Sequence, residues 1–149
     1  MDDFDFYTGS WNVACRRLET LFEGCDTWYE FTGTSTCRPI FGGGGNIEEI
    51  HFPTLGNSGF ALRLFDVERK EWSIHWAGSR TGLLEPPVVG TFAEGRGDFY
   101  GDDTHDGKPI KVHLSWSDIT GTSARWEQEF SLDEGRTWES NWVMEFTRA

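Results

Sequence analysis

The chain predicts an all-β fold: a single antiparallel meander of about ten strands, curved into a closed barrel. Three observations carry that prediction. Glycine is dense, at 18 of 149 residues, and aromatic side chains make up 15% of the chain. That composition suits strands joined by tight turns. Short segments of strand character follow one another with no helical pattern of about 10–15 residues between them. Within those segments apolar and polar residues alternate with period two, the mark of a strand with one buried and one wet face.

The first segment, Trp11–Leu21, runs to a turn at Glu23-Gly24, and the second, Thr27–Arg38, to the glycine run Gly42–Gly45. Asn46–Phe52 and Gly59–Asp66 are divided by Gly56-Asn57-Ser58-Gly59. In Glu71–Ala77, Trp72, Ile74 and Trp76 oppose Glu71, Ser73 and His75. The one long loop, Gly78–Pro87, ends in Pro86-Pro87. Val88–Ala93 leads through Glu94-Gly95-Arg96-Gly97 to Asp98–Gly101, and Asp106-Gly107 precedes Pro109–Ser117. There Ile110, Val112, Leu114 and Trp116 share the apolar face. Ser123–Ser131 sets Trp126, Gln128 and Phe130 inward, and Trp138–Arg148 is the last segment. Gly-containing pairs at these positions are hairpin signals.

Ser131–Trp138 reads S-x-D-x-G-x-T-W and resembles the Asp-box turn, in which the Asp side chain caps backbone N–H groups and the Gly accepts positive φ. One copy in a chain this short implies a turn and not a glycosidase. With the turn centred on Glu134, Trp126 is expected opposite Trp142, and Phe130 opposite Trp138. A first hairpin turning at Glu23-Gly24 sets Cys15 opposite about residue 32 and Cys37 opposite about residue 10, too far apart for a disulfide. Cys25 sits in the turn, so all three cysteines are expected to be free.

The length fits one domain over residues 1–149. A net charge of −12 argues against a nucleic-acid partner and against an anionic membrane surface. No apolar run approaches the ~18 residues of a membrane-spanning helix. The opening Met1-Asp2-Asp3-Phe4-Asp5 is acidic where a secretory signal is basic and then apolar, and three cysteines are an odd number. The expectation is a cytoplasmic protein, monomer or homodimer. No G-x-S-x-G, Walker loop, H-E-x-x-H or C-x-x-C occurs. Gly42–Gly45 lacks the Lys and helix of a phosphate loop and reads as a turn. Asp98, Asp102, Asp103, His105 and Asp106 lack EF-hand spacing and read as a solvated hairpin end. Neither a metal nor a cofactor is expected.

Gly9-Ser10-Trp11 on the first strand and Arg148 on the last resemble the signature of the calycin (lipocalin-like) superfamily. That resemblance implies an Arg148 guanidinium stacked over the Trp11 indole, sealing one end of the barrel for about 0.5–2 kcal/mol. The chain is also similar to a bacterial family of lipocalin-like proteins of about this length. Phe4-Asp5-Phe6, Gly45–Glu49, Leu62–Asp66, Pro86–Gly90 and Phe99–Asp103 carry the likeness, which imports a fold and no established reaction. The T-D-x-x-Y motif and C-terminal helix of secreted lipocalins are missing, so a ten-stranded relative is expected.

The interior is expected to hold Trp72, Trp76, Phe92, Leu114, Trp116, Trp126, Gln128, Trp142 and Met144. Eight tryptophans exceed what a small core needs and suit a lined cavity, each indole N–H wanting a partner. Gln128 is the polar member, either orienting a ligand or bonding a water or neighbour. Arg63 and Glu30 share faces with Phe65 and Trp28, so both are expected inside, as an ion pair or as a ligand anchor. The first functional reading is a barrel that binds a small, largely apolar, aromatic molecule. A second is a cofactor-independent isomerase or cyclase, with His51, His75, Glu30 or Arg63 as acid–base groups. A third is a haem barrel of the nitrobindin type, which needs an inward histidine, whereas His75 and His113 fall on polar faces. A packed module without a cavity is the fourth.

Overall fold

The computed structural model describes residues 2–149. Its ten strands are β1 (Gly9–Leu18), β2 (Trp28–Ile40), β3 (Gly45–Phe52), β4 (Asn57–Asp66), β5 (Glu71–Gly78), β6 (Val88–Ala93), β7 (Arg96–His105), β8 (Lys108–Ser117), β9 (Ser123–Ser131) and β10 (Glu139–Arg148). Each pairs antiparallel with its chain neighbour, and β1 also pairs with β10, so the meander closes into a barrel. Among the described residues the only helical elements are 3₁₀ turns at Asp5–Tyr7 and Phe41–Gly43. None is long and apolar enough to cross a membrane.

The all-β meander is the architecture the alternation predicts, and the turns follow the glycines. Glu94-Gly95 and Asp106-Gly107 are two-residue connections in which both residues have positive φ (54° and 77°; 50° and 76°), as a type I′ hairpin requires. The largest boundary difference is in β7. Asp102 and Asp103 lie within the strand, opposite Lys111 and Ile110, and Lys111 Nζ sits 2.5 Å from Asp102 Oδ1. The cross-strand cation lets the acidic run extend the ladder instead of ending it.

The Asp-box closes as expected. Asp133 Oδ1 accepts from the Thr137 N–H at 2.8 Å, Asp133 Oδ2 accepts from the Thr137 hydroxyl at 2.6 Å, and Ser131 Oγ accepts from the Gly135 N–H at 2.9 Å. The register beyond it differs from the expected one. Gln128 faces Trp142, Trp126 faces Met144 and Phe130 faces Glu139. Asn141 is an extra residue bulged between Ser140 and Trp142, and it displaces the whole upper part of β10. In the first hairpin Cys15 faces Phe31 and Cys37 faces Gly9, and all three cysteines are free.

The barrel is plugged at one end. Phe4 and Tyr7, from the segment before β1, are buried among the inner ends of the strands. Phe4 packs edge-on against Trp72 at 4.9 Å and Phe92 at 4.8 Å, and Tyr7 packs against Trp116 at 4.8 Å. Trp11 Nε1 donates to the Tyr7 carbonyl, and Trp72 Nε1 to Asp3 Oδ2. Arg148 caps the outside of this plug, its guanidinium 4.1 Å from the centre of the Trp11 ring. The opposite end is looser. β5 and β6 pair only over Trp72–Ile74, and the loop that follows folds back so that the Glu85 N–H reaches the Trp76 carbonyl.

Candidate ligand cavity

Above the plug the interior is not filled. A cavity of about 310 Å³ opens toward the unplugged end. Its walls are Trp76 from β5, Leu114 and Trp116 from β8, Trp126 and Phe130 from β9, and Trp142 and Met144 from β10, with Ile50 and Ile74 opposite. Every one of these occupies the inward parity of its strand. Trp142 meets Trp126 edge to face at 5.3 Å and Trp76 at 6.4 Å, so its ring stands nearly perpendicular to both other walls. Gly59 on β4 makes room for one of them: a Cβ there would stand 1.9 Å from the Trp76 ring.

The floor carries a buried polar network. Arg63 Nη2 donates to Glu48 Oε1 at 2.7 Å, and Arg63 Nη1 to Asn46 Oδ1 at 2.9 Å. The other carboxylate oxygen, Glu48 Oε2, accepts from Tyr7 Oη at 2.5 Å and Ser35 Oγ at 2.7 Å. Aromatic rings of Phe4, Tyr7 and Trp116 surround the guanidinium at 5.2–5.8 Å. Burial works against the Arg63 charge, and the Glu48 carboxylate overcomes it, holding the guanidinium's pKa above its ordinary value. Burial, reinforced by the Glu48 charge, pushes the Tyr7 phenol well above its own. The network is therefore an ion pair with a neutral phenol locked onto it.

The rim is formed by Arg17, Glu85, Pro86, Asp102, Asp103, Thr104 and His105. Arg17 lies 4.4 Å from the centre of the Trp142 ring. Burial and the nearby Asp103 charge raise Glu85 above the usual carboxylate range, against the pull of Arg17.

Eight of the eleven residues expected inside line this cavity: Arg63, Trp76, Leu114, Trp116, Trp126, Gln128, Trp142 and Met144. Three do not. Trp72 and Phe92 face inward but at the height of the plug, where Phe4 covers both. Glu30 is exposed on the outer face of β2, opposite Arg16. It shares the parity of Trp28, whose indole also lies outside, 5.2 Å from the Arg16 guanidinium. Phe31, Gly33, Ser35 and Cys37 are the inner line of β2. The carboxylate that meets Arg63 is instead Glu48, which the sequence reading missed. Its signal was present, since Asn46 and Glu48 share the parity of Ile50 and Phe52.

Gln128 Nε2 donates to Asn141 Oδ1 at 2.8 Å, so the bulge residue is its partner. Of the four histidines, His51, His75 and His113 lie on the outer face and His105 at the rim. His113 is nevertheless buried. It stacks on Tyr100 at 4.6 Å, with its ring nitrogens 2.8 Å from Asp98 and 2.7 Å from Glu129. Among the described residues four buried side-chain polar atoms have no hydrogen-bond partner: Arg63 Nε, Trp116 Nε1, Trp142 Nε1 and Asn141 Nδ2.

Fold and cavity together define a class, the closed ten-stranded antiparallel barrel with an aromatic-walled hollow open at one end. The S-type phycobiliprotein lyase CPES from Guillardia theta has a similar structure, with a TM-score of 0.58 over 98% of this chain and 90% of that one. At 11% sequence identity the likeness is one of fold. No family model matches the chain, and no curated protein does.

Proposed function

We propose that this is a lipocalin-like barrel that binds a small, largely apolar molecule with an aromatic system in its internal cavity. The observation that carries the reading is the cavity itself. Its volume of about 310 Å³ falls at the lower end of small-molecule pockets, and its walls are apolar and aromatic between a polar floor and a polar rim. Such a hollow disfavours the packed-module reading, because a core without a function fills to crystal-like density. The haem reading has His105 at the rim as its only histidine near the cavity. Three free thiols suit a reducing compartment, and the reading is of a cytoplasmic binder.

A second reading, catalysis in the same cavity, draws on the similar barrel being a phycobiliprotein lyase. Of the acid–base groups the sequence suggested for it, Arg63 lines the cavity, whereas His51, His75 and Glu30 lie on the outer face. The binding reading needs no such group and is the one we adopt.

Titration of the intact protein with a panel of planar aromatic compounds tests it through tryptophan emission. Binding beside Trp76, Trp126 and Trp142 is expected to give a saturable one-to-one change, about tenfold weaker in Trp126→Ala, on the scale of one lost stacking partner. A panel that leaves emission unchanged throughout overturns the reading.

A further inference from the structure

All four unpartnered buried polar atoms are N–H donors, and none is an acceptor. Three of them, Arg63 Nε, Trp116 Nε1 and Trp142 Nε1, belong to side chains that line the cavity and are at least nine-tenths buried. The fourth, Asn141 Nδ2, is on the residue that holds Gln128. The cavity's acceptors, by contrast, are largely taken. Glu48 accepts from Arg63 with one oxygen and from Tyr7 and Ser35 with the other, and the Asn46 and Asn141 oxygens accept from Arg63 and Gln128. Gln128 Oε1 is the exception inside, and the carboxylates of Glu85, Asp102 and Asp103 stand farther out, at the rim. A buried donor left without an acceptor is costly, so the cavity's complement is a molecule that brings acceptors and few donors.

The charges narrow it further. The single cation on the floor is already matched by Glu48 at 2.7 Å. At the rim Arg17 stands against Glu85, Asp102 and Asp103, in a chain of net charge −12. An anion would meet an acidic entrance and find no unmatched cation inside.

Resting on the binding reading above, we infer that the occupant is an uncharged planar aromatic bearing a carbonyl oxygen. Its oxygen is taken by one wall donor, the indole N–H of Trp116 or of Trp142, and carboxylated analogues of the same shape are turned away.

Three probes of one shape separate the parts of this inference: 2-acetylnaphthalene, 2-ethylnaphthalene and 2-naphthoate, titrated by calorimetry and tryptophan emission. The ketone is expected to bind at least tenfold tighter than the ethyl compound and at least tenfold tighter than the carboxylate. Trp142→Phe and Trp116→Phe keep the flat walls and remove one N–H each. One of the two is expected to erase much of the ketone's advantage while the ethyl compound binds as before, which also shows that the variant cavity is intact. Equal affinities for ketone and ethyl compound mean that cavity water satisfies the donors, and the inference falls while the binding reading stands. A carboxylate that binds tightest overturns the charge argument. If no aromatic of the wider panel binds either, the binding reading itself has failed.

Discussion

The Arg148 guanidinium stands over the Trp11 indole, 4.1 Å from the ring centre, and the same group donates to the carbonyls of Phe6 and Thr8. One side chain at the end of β10 therefore holds both the first strand and the plug that precedes it. Arg148 is the residue opposite Trp11 in the β1–β10 ladder, so the seam and the cap share one register position.

A lysine cannot reproduce that fork. Arg148→Lys keeps the charge but loses the planar stack and one carbonyl contact, and is expected to cost about 1–3 kcal/mol. Urea unfolding measures it. A loss below about 0.5 kcal/mol, the level of an ordinary surface change, would show that the cap does not hold the plug.

The floor network is expected to be strongly coupled. Glu48→Gln leaves the buried Arg63 guanidinium without its counter-charge and is expected to cost about 3–5 kcal/mol. Adding Arg63→Met removes the stranded charge and is expected to recover part of that loss. If the two single losses simply add in the double variant, the pair is not coupled and this account of the floor is wrong.

Burial pushes the Cys15 thiol up to about 12, and burial, partly offset by Arg63, pushes Cys37 up to about 11. Both side chains are buried on the inner face, whereas Cys25 is half-buried in the first turn. Iodoacetamide near neutral pH is expected to add one label to the folded protein and three after unfolding in urea. Rapid double labelling of the folded form, read by intact mass, would contradict that placement.

The Asp-box should show itself in acid. The hydrogen bonds from Thr137, side chain then backbone, and from the Ser131 hydroxyl hold Asp133 down to about 2 from its ordinary 3.8. A depressed carboxylate stabilises the fold fully above its unfolded pKa and loses that contribution as pH falls through the folded one. The gap in melting temperature between the wild type and Asp133→Asn is therefore expected to be constant above about pH 5 and to close toward pH 2. A gap that persists unchanged at pH 2 rules out this turn as its source.

Strand order, closure and the inward parity of β5, β8 and β9 were legible in the sequence, because in each an aromatic or aliphatic line marks the inner face. On β4 the line Phe60, Leu62 and Leu64 faces out, and Phe65 alone pointed to the inward side. Parity tells which face a residue takes and nothing about its height along the barrel. Trp72 and Phe92 have the correct face and sit at the height of the plug, while Trp76, on the same strand and face as Trp72, reaches the cavity. The plug itself, Phe4 and Tyr7, lies outside any strand and carries no periodic signal. β2 misled because its inner line includes Gly33, Ser35 and Cys37, small residues beside an outer Trp28. The last register was off by one at Phe130–Glu139 and by two beyond Asn141, a bulge with no Gly or Pro to announce it. His113 shows the converse, a polar-face residue buried from outside by Tyr100 and Trp138.

The seam between β1 and β10 sets when the hollow comes into being. Nine strands without the tenth make an open, curved sheet whose tryptophans face water and whose two edges, β1 and β9, are unpaired. Two of the walls, Trp142 and Met144, arrive only with the last strand. On the binding reading proposed above, a complete site exists only once the last strand has docked. Joining the most distant strands is also the slowest kind of contact to make. A guest present at that moment would act as a template on which the final strand docks, shielding an edge that would otherwise be free to pair with another chain.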